Sequence, residues 1–262
     1  MDMHLSGKVA VVTGASKGIG LAVTRALVAE EVRVAAGART SSDELAALGD
    51  PGQVLPVLGD LTTAEGPRHL VEEAVRVFGA IDILVNNVGA VTPRLDGFLA
   101  LDDADWEHTL AVNFLSAVRA TRAALPHLLE RAPSTVVTVC SVNSFLPDPT
   151  VVDYGAAKAA LANLSKSLSK EFGPRGVRFN TVSPGPVETS LWLGEQGVAA
   201  TVARSGAGDA DAVAKAAVAG TATGRFTRPD EVADVVVLLA GGRAGNVTGS
   251  DVVIDGGLVT TL

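Results

Sequence analysis

The chain's single tyrosine, Tyr154, is followed four residues later by Lys158. On a helix that spacing sets both side chains on one face, one turn apart. An ammonium beside a phenol favours the phenolate, so Lys158 is expected to draw Tyr154 down toward the range of a working acid/base. Ser141 closes the apolar run before this pair, and Asn113 lies in the long helical stretch before that.

A second constellation stands near the N-terminus. Val9-Ala10-Val11-Val12-Thr13 runs straight into Gly14-Ala15-Ser16-Lys17-Gly18-Ile19-Gly20, and a helical pattern follows. Gly14 permits the sharp turn out of a strand, Gly18 lets the backbone approach a pyrophosphate, and Gly20 lets helix pack on strand. The helix N-terminus beyond them offers unpaired N–H groups and a positive dipole end to phosphate oxygens. Strand, glycines and helix in this order, in the first βα unit, predict a dinucleotide site. An NAD site wants an acid at the end of the second strand, about twenty residues on. Here that strand ends Ala36-Gly37-Ala38-Arg39-Thr40. Arg39 and Lys17 can instead pair with a 2′-phosphate, with no carboxylate expected to oppose them. The expected cofactor is therefore NADP(H), with NAD(H) second.

These residues must be held by a regular frame. Short Val/Ala/Ile runs at 9–13, 33–37, 54–58, 81–86, 135–141, 178–183 and 252–255 read as buried strands. Helical patterns lie between them at about 19–31, 42–48, 63–78, 103–130, 154–172 and 229–240. In 63–78, Leu70, Val71, Ala74, Val75 and Phe78 form one stripe, with Thr62 or Thr63 as N-cap. Repeated strand–helix alternation predicts an α/β fold: one Rossmann-type doubly wound domain over 1–262, its seven-stranded parallel sheet covered by helices on both faces. With seven Phe, two Trp and one Tyr, the core must be aliphatic. The segment 190–224, rich in Ala, Gly and Thr, interrupts the rhythm and reads either as a substrate loop or as a surface excursion.

Composition narrows the function classes. Across 262 residues, 29 acidic side chains against 21 basic ones give a formal charge of −8, which argues against broad capture of nucleic acid or anionic membrane. A lone cysteine, Cys140, excludes an intramolecular disulfide framework and a Cys-cluster metal site, and reads as a small core residue. His4, His69, His108 and His127 show no metal-ligand spacing and read as surface groups, so no metal is expected. The N-terminus has neither a basic n-region nor an apolar h-region, and no apolar run reaches the roughly 18 residues that span a bilayer. A cytoplasmic location is expected.

Taken together, Thr13-Gly14-x-x-x-Gly18-x-Gly20, Asn86-Asn87-Val88-Gly89, Asn113, Ser141, Tyr154-x-x-x-Lys158 and Pro184-Gly185-Pro186-Val187-x-Thr189 resemble the short-chain dehydrogenase/reductase family, in its order and spacing. The likeness covers essentially the whole chain and extends to the 3-oxoacyl-carrier-protein reductase-like ketoreductases. Val88 departs from the family's usual Ala, and 190–224 looks longer than in the compact acyl-carrier reductases. The resemblance implies that Tyr154 is the general acid/base and that Lys158 bonds the nicotinamide ribose and lowers the Tyr154 pKa. It implies that Ser141 donates to the substrate oxygen, with Ser144 a less well spaced competitor, and that Asn113 holds a water relaying protons toward Lys158. Asp60 and Leu61 would contact adenine, Asn87 would pack against the adenosine ribose, and Gly89 would also bind the cofactor. Pro184, Gly185, Val187 and Thr189 would hold the nicotinamide and phosphates, and Ser16 and Ile19 complete the glycine loop. Asn143, Phe145, Leu146, Leu191 and Trp192 would line the substrate pocket, or Trp192 would cap a subunit contact.

The implied activity is NADP(H)-dependent interconversion of a ketone and a secondary alcohol, on a small-molecule substrate. Two alternatives stay open: a 3-oxoacyl thioester reductase, with Arg131 and Arg175 docking an acidic carrier, and a non-catalytic NADP(H)-sensing regulator. The family likeness also implies a homotetramer, or a homodimer, pairing the 103–130 and 154–172 helices.

Overall fold

Valine and alanine runs that alternate with amphipathic segments do condense into one parallel sheet. The computed structural model describes residues 2–50, 52–206 and 208–261. In chain order the elements are β1 (Val9–Thr13), α1 (Gly18–Ala29), β2 (Arg33–Ala38), α2 (Asp43–Ala46), β3 (Val54–Leu58), α3 (Glu65–Phe78), β4 (Ile83–Asn86), α4 (Asp103–Leu110) and α5 (Ser116–Glu130). They continue with β5 (Ser134–Val139), α6 (Val152–Phe172), β6 (Val177–Pro184), α7 (Ser190–Leu193), α8 (Val198–Arg204), α9 (Ala210–Ala219), α10 (Pro229–Ala240) and β7 (Asp251–Ile254). The strands lie in the order β3-β2-β1-β4-β5-β6-β7, all parallel, as the sequence predicts.

Successive strand residues face opposite layers, which divides the core in two. Ala10 and Val12 of β1 pack with Val23 and Leu27 of α1 and Val232 and Val236 of α10. Val9 and Val11 pack the other way, with Leu70 and Ala74 of α3, Ala120, Ala124 and Leu128 of α5, and Phe172 and Phe179. Each fully buried valine or leucine contributes roughly 1.5–3 kcal/mol, so aliphatic layers suffice without many aromatics. The 63–78 stripe is borne out: Leu70, Val71, Ala74 and Phe78 are buried and Val75 packs against them.

The differences from the sequence reading have local causes. The helix expected from 63 begins at Glu65, because the Thr63 hydroxyl accepts from Gly66 N at 3.1 Å while Thr62 is turned to Asp60. The 42–48 helix shrinks to one turn capped by Ser42. The strand expected from 81 begins at Ile83: buried Asp82 turns its carboxylate to Val9 N at 3.0 Å and to Arg131 at 3.1 Å. The strand expected to end at Ser141 stops at Val139. The single helix expected over 103–130 is interrupted by a π-helical turn at Ala111–Leu115, centred on Asn113. Instead of an irregular loop, 190–224 carries α7, α8 and α9, and its neck is closed by a parallel bridge between Val187 and Thr227.

Candidate active site

β1 and β4 are neighbours whose crossovers run in opposite directions, and a crevice opens beyond their carboxyl ends. The glycine loop fills one wall. α1 starts at Gly18, and its N-cap Lys17 makes no side-chain cap, leaving the first-turn N–H groups free for an anion. Gly20 shows why this turn excludes side chains. A Cβ there would lie 2.1 Å from the Gly14 carbonyl oxygen and 2.5 Å from Asn87 Nδ2. Asn87 is committed to the frame: its Nδ2 donates to the carbonyls of Thr13 and Gly14, both at 3.1 Å, stitching the exits of β1 and β4 together.

A groove of about 550 Å³ runs from Ser16, Lys17 and Gly18 past Thr40, Ser41 and Ser42 to Thr189. Lys17 lines it and is exposed; Arg39, also exposed, lies outside the lining and acts instead on the Asp60 carboxyl, which it helps to lower. Arg25 also lines the groove and was missed; it sits seven residues after Gly18, on the same face of α1. The expectation that no carboxylate opposes these cations needs correction. Glu44, Glu188 and Asp230 line the groove with Lys17, the first and last because acidic residues favour the first turns of α2 and α10, and Asp60 faces Arg39. Asp60 is exposed, and hydrogen bonds from Thr62, backbone N–H and hydroxyl, hold its carboxyl below the usual range. Leu61 is buried in the core, so only its backbone can face a ligand. Arg119 of α5, also missed, donates through Nη1 to the Thr62 carbonyl and pins this turn.

The 184–189 turn closes the crevice from the other side. Gly185 N donates to Ile254 O at 3.0 Å, Val187 is buried, and the Thr189 methyl lies against Gly18. Beyond it, Trp192 packs edge-on against Phe226 with centroids 5.8 Å apart. Phe145, Leu146 and Leu191 are exposed. Phe226 lay outside the sequence reading because it is distant in sequence from every motif.

The four polar residues meet at the base. Ser141 stands beyond β5, where its Oγ accepts from Asn143 N at 3.2 Å and faces Asn143 Oδ1 at the same distance. Asn113 is fully buried; its Oδ1 accepts from Ala90 N at 3.0 Å, and its Nδ2 donates to Ala90 O at 2.9 Å and Thr109 O at 3.1 Å. A π turn displaces one residue from the helical register, and here it frees Asn113 to reach across to the β4 loop. Lys158 Nζ donates to Val139 O at 2.9 Å and lies 5.7 Å from the Tyr154 ring centre. Gly89 floors the space between them: a Cβ there would sit 3.2 Å from Asn113 Oδ1 and 3.4 Å from Lys158 Nζ.

One electrostatic expectation is reversed. Burial pushes the Tyr154 phenol up to about 12, countered in part by a hydrogen bond from Ser141. Burial also lowers the Lys158 ammonium, whose proton-donating end is turned to Val139 O. The phenol is therefore an acid that keeps its proton at neutral pH. Burial likewise raises the Cys140 thiol to about 12, in keeping with a core residue. Among the described residues no three His, Cys, Asp or Glu side chains group as metal ligands.

The bare glycine turn, the free helix N-terminus, the groove with Lys17 and Arg25 on its wall and the floor at Gly89 together fit a dinucleotide. The model for short chain dehydrogenase matches residues 8–196. A 3-oxoacyl-[acyl-carrier-protein] reductase of Thermotoga maritima is 33% identical, over 98% of this chain and 100% of its own. D-threitol dehydrogenase of Mycolicibacterium smegmatis is 35% identical, over 98% and 94%. The structure of L-sorbose reductase from Gluconobacter frateurii, complexed with NADPH and L-sorbose, superposes with a TM-score of 0.91 at 31% identity, covering both chains fully. The chain belongs to the short-chain dehydrogenase family and is an oxidoreductase.

Proposed function

We propose that this enzyme interconverts a ketone and a secondary alcohol with NADP(H), and that Tyr154 is its general acid/base. The observation carrying this reading is the convergence of Asn113 and Lys158 on Gly89, beside Tyr154 and Ser141 and at the open end of the glycine turn. Gly14, Ser16, Gly18, Ile19 and Gly20 would cradle the pyrophosphate, Lys17 and Arg39 the 2′-phosphate, and Pro184, Gly185, Val187 and Thr189 the nicotinamide end. The cofactor, when bound, supplies or accepts the hydride. Ser141 orients the carbonyl oxygen by donating to it, and Tyr154 delivers the proton to that oxygen in reduction. Lys158 holds its charge beneath the phenol, and Asn113 fixes the loop carrying Gly89 and Ala90. Phe145, Leu191 and Trp192 give the substrate an apolar rim, with Asn143 as its polar edge, and 190–224 closes over it. The same reading includes a homotetramer built on α4–α5 and α6, which sedimentation equilibrium tests.

A phenol pushed up to about 12 fixes the sign of the pH response. Protonated Tyr154 is the competent form in reduction, so that rate should stay flat across neutral and mildly alkaline pH. Oxidation of the alcohol needs the phenolate, whose fraction grows about tenfold per pH unit while the phenol remains mostly protonated. Initial rates in both directions across a pH series check this; a reductive rate that falls away above neutrality contradicts it.

The cofactor preference rests on Arg39 and Lys17 against the groove's carboxylates. Arg39→Ala should raise the NADPH KM by about tenfold or more and leave the NADH KM within twofold, since a charge-assisted bond to phosphate contributes about 1.5–3 kcal/mol. Following nicotinamide absorbance with both cofactors and a ketone panel tests activity and preference together. Turnover of no ketone despite tight NADPH binding would return weight to a sensing role. A 3-oxoacyl thioester reductase is the second reading, favoured by the Thermotoga maritima relative. It ranks lower because the two docking cations have structural partners of their own, Arg131 in buried Asp82 and Arg175 in the Phe172 ring.

A further inference from the structure

Directly behind the catalytic pair lies a buried ion pair that no sequence motif announces. Asp153, the residue before Tyr154, is 2% exposed, and Arg94, from the loop after β4, is 13% exposed. Arg94 Nη2 and Nε donate to Asp153 Oδ2 at 2.6 and 3.0 Å, and Nη1 donates to Asp105 Oδ1 at 2.9 Å. Thr109 Oγ1 donates to the same Asp153 oxygen at 2.7 Å, and the other oxygen accepts from Tyr154 N at 3.0 Å. The Arg94 backbone N–H donates to Thr150 O at 2.7 Å, just before α6. Thr109 has a second role: its carbonyl accepts from Asn113 Nδ2.

We propose that Arg94, Asp153 and Thr109 are positioning residues that set Tyr154 and Asn113 in one geometry relative to the loop carrying Gly89. The reasoning is mechanical and electrostatic. Three separate segments, the β4 loop, α4 and the start of α6, meet at one carboxylate oxygen that takes three donors. One step away in each direction stand Tyr154, through its own backbone N–H, and Asn113, through the Thr109 carbonyl. Burying two charges is costly, and a hydrophobic cluster could join the same segments with less desolvation. What directional donors add is angular precision, and an active-site error of about 1 Å can cost about 100-fold in rate. Burial raises the Asp153 carboxyl, but bonds from Arg94, Thr109 and Tyr154 N outweigh it and hold the group ionised.

This inference rests on the reading of Tyr154 as acid/base, and the test separates the two. Thr109→Val should lower kcat about tenfold with the NADPH dissociation constant, read by fluorescence, within twofold; Thr109→Ser, which keeps the hydroxyl, should restore kcat to within threefold of wild type. Asp153→Asn should lower kcat about 100-fold, again sparing NADPH binding. Equal losses in Thr109→Ser and Thr109→Val, or wild-type kcat in both Thr109→Val and Asp153→Asn, overturns the proposal.

A second readout needs no turnover, because the sole tyrosine reports its own ionisation through phenolate absorbance. Ser141, Cys140 and Lys158 face the ring unchanged in every variant. Asp153→Asn removes the negative charge next to Tyr154 and leaves Arg94 paired with Asp105 alone, so it should move ionisation roughly half a pH unit or more downward. Arg94→Met leaves the Asp153 carboxylate uncompensated and should move it no lower than wild type. Simple loosening of the site would lower both, and that result sinks the proposal even if the wild-type enzyme turns over no ketone. An inactive wild type with opposite shifts keeps the coupling and removes only the acid/base role.

Discussion

Tyr154→Phe should reduce ketone reduction by about 1,000-fold while NADPH binds as in wild type, within the range of about 10²–10⁴ that a positioned proton donor contributes. Phenylalanine keeps the ring, its packing on α6 and its place over Lys158, and removes only the hydroxyl. Ser141 is left to hydrogen-bond the carbonyl, but a serine hydroxyl is far too weak an acid to protonate the developing alkoxide. Lys158 cannot take over, since its ammonium is buried and its donor is turned to Val139 O. Stopped-flow absorbance and a parallel fluorescence titration with NADPH separate loss of chemistry from loss of binding. A variant within tenfold of wild type would falsify the assignment of Tyr154.

The second large effect is expected at the other end of the crevice. Gly20→Val should abolish measurable NADPH binding and with it all turnover. The first carbon of the new side chain would already lie 2.1 Å from the Gly14 carbonyl oxygen, and backbone cannot give way as the tip of a flexible side chain would. Asn87 Nδ2, at 2.5 Å, would also be displaced, and it ties both strand exits to the turn. The same substitution at Gly79, whose Cβ would meet nothing within 4 Å but whose φ is +80°, serves as the control for backbone strain alone. Calorimetric titration with NADPH should show loss of binding at position 20 and retained binding at position 79. Binding at position 20 within threefold of wild type would mean that the glycine turn is not the pyrophosphate cradle.

Much of this was legible in the sequence because period and spacing encode it. Uninterrupted valine and alanine runs declared strands covered on both faces, and the 63–78 stripe declared a helix with one buried side. The Tyr154–Lys158 spacing and the glycine turn are local, so their geometry follows from helix and strand repeats. What escaped depends on distant partners. Asn113 reads as one residue of a long helix, and only the pull of the Ala90 backbone on its amide goes with the π turn. Asp153 and Arg94 lie 59 residues apart and match no short pattern. The Tyr154 pKa direction was misread for the same reason: spacing supplied the nearby ammonium, whereas burial, set by the whole fold, is the larger influence.

The bridge between Val187 and Thr227 has an evolutionary and practical consequence. The excursion carrying α7, α8 and α9 leaves and re-enters the scaffold at adjacent points, with Thr227 N on Pro186 O and Glu188 N on Thr227 O. Its length is therefore nearly uncoupled from the strand ladder, because doubling a loop with fixed ends costs only about 0.6 kcal/mol. Segments of different size and composition can be grafted at this seam, like interchangeable heads on one handle. On the proposed reading of 190–224 as the substrate loop, such grafts redraw selectivity while the scaffold beneath is unchanged.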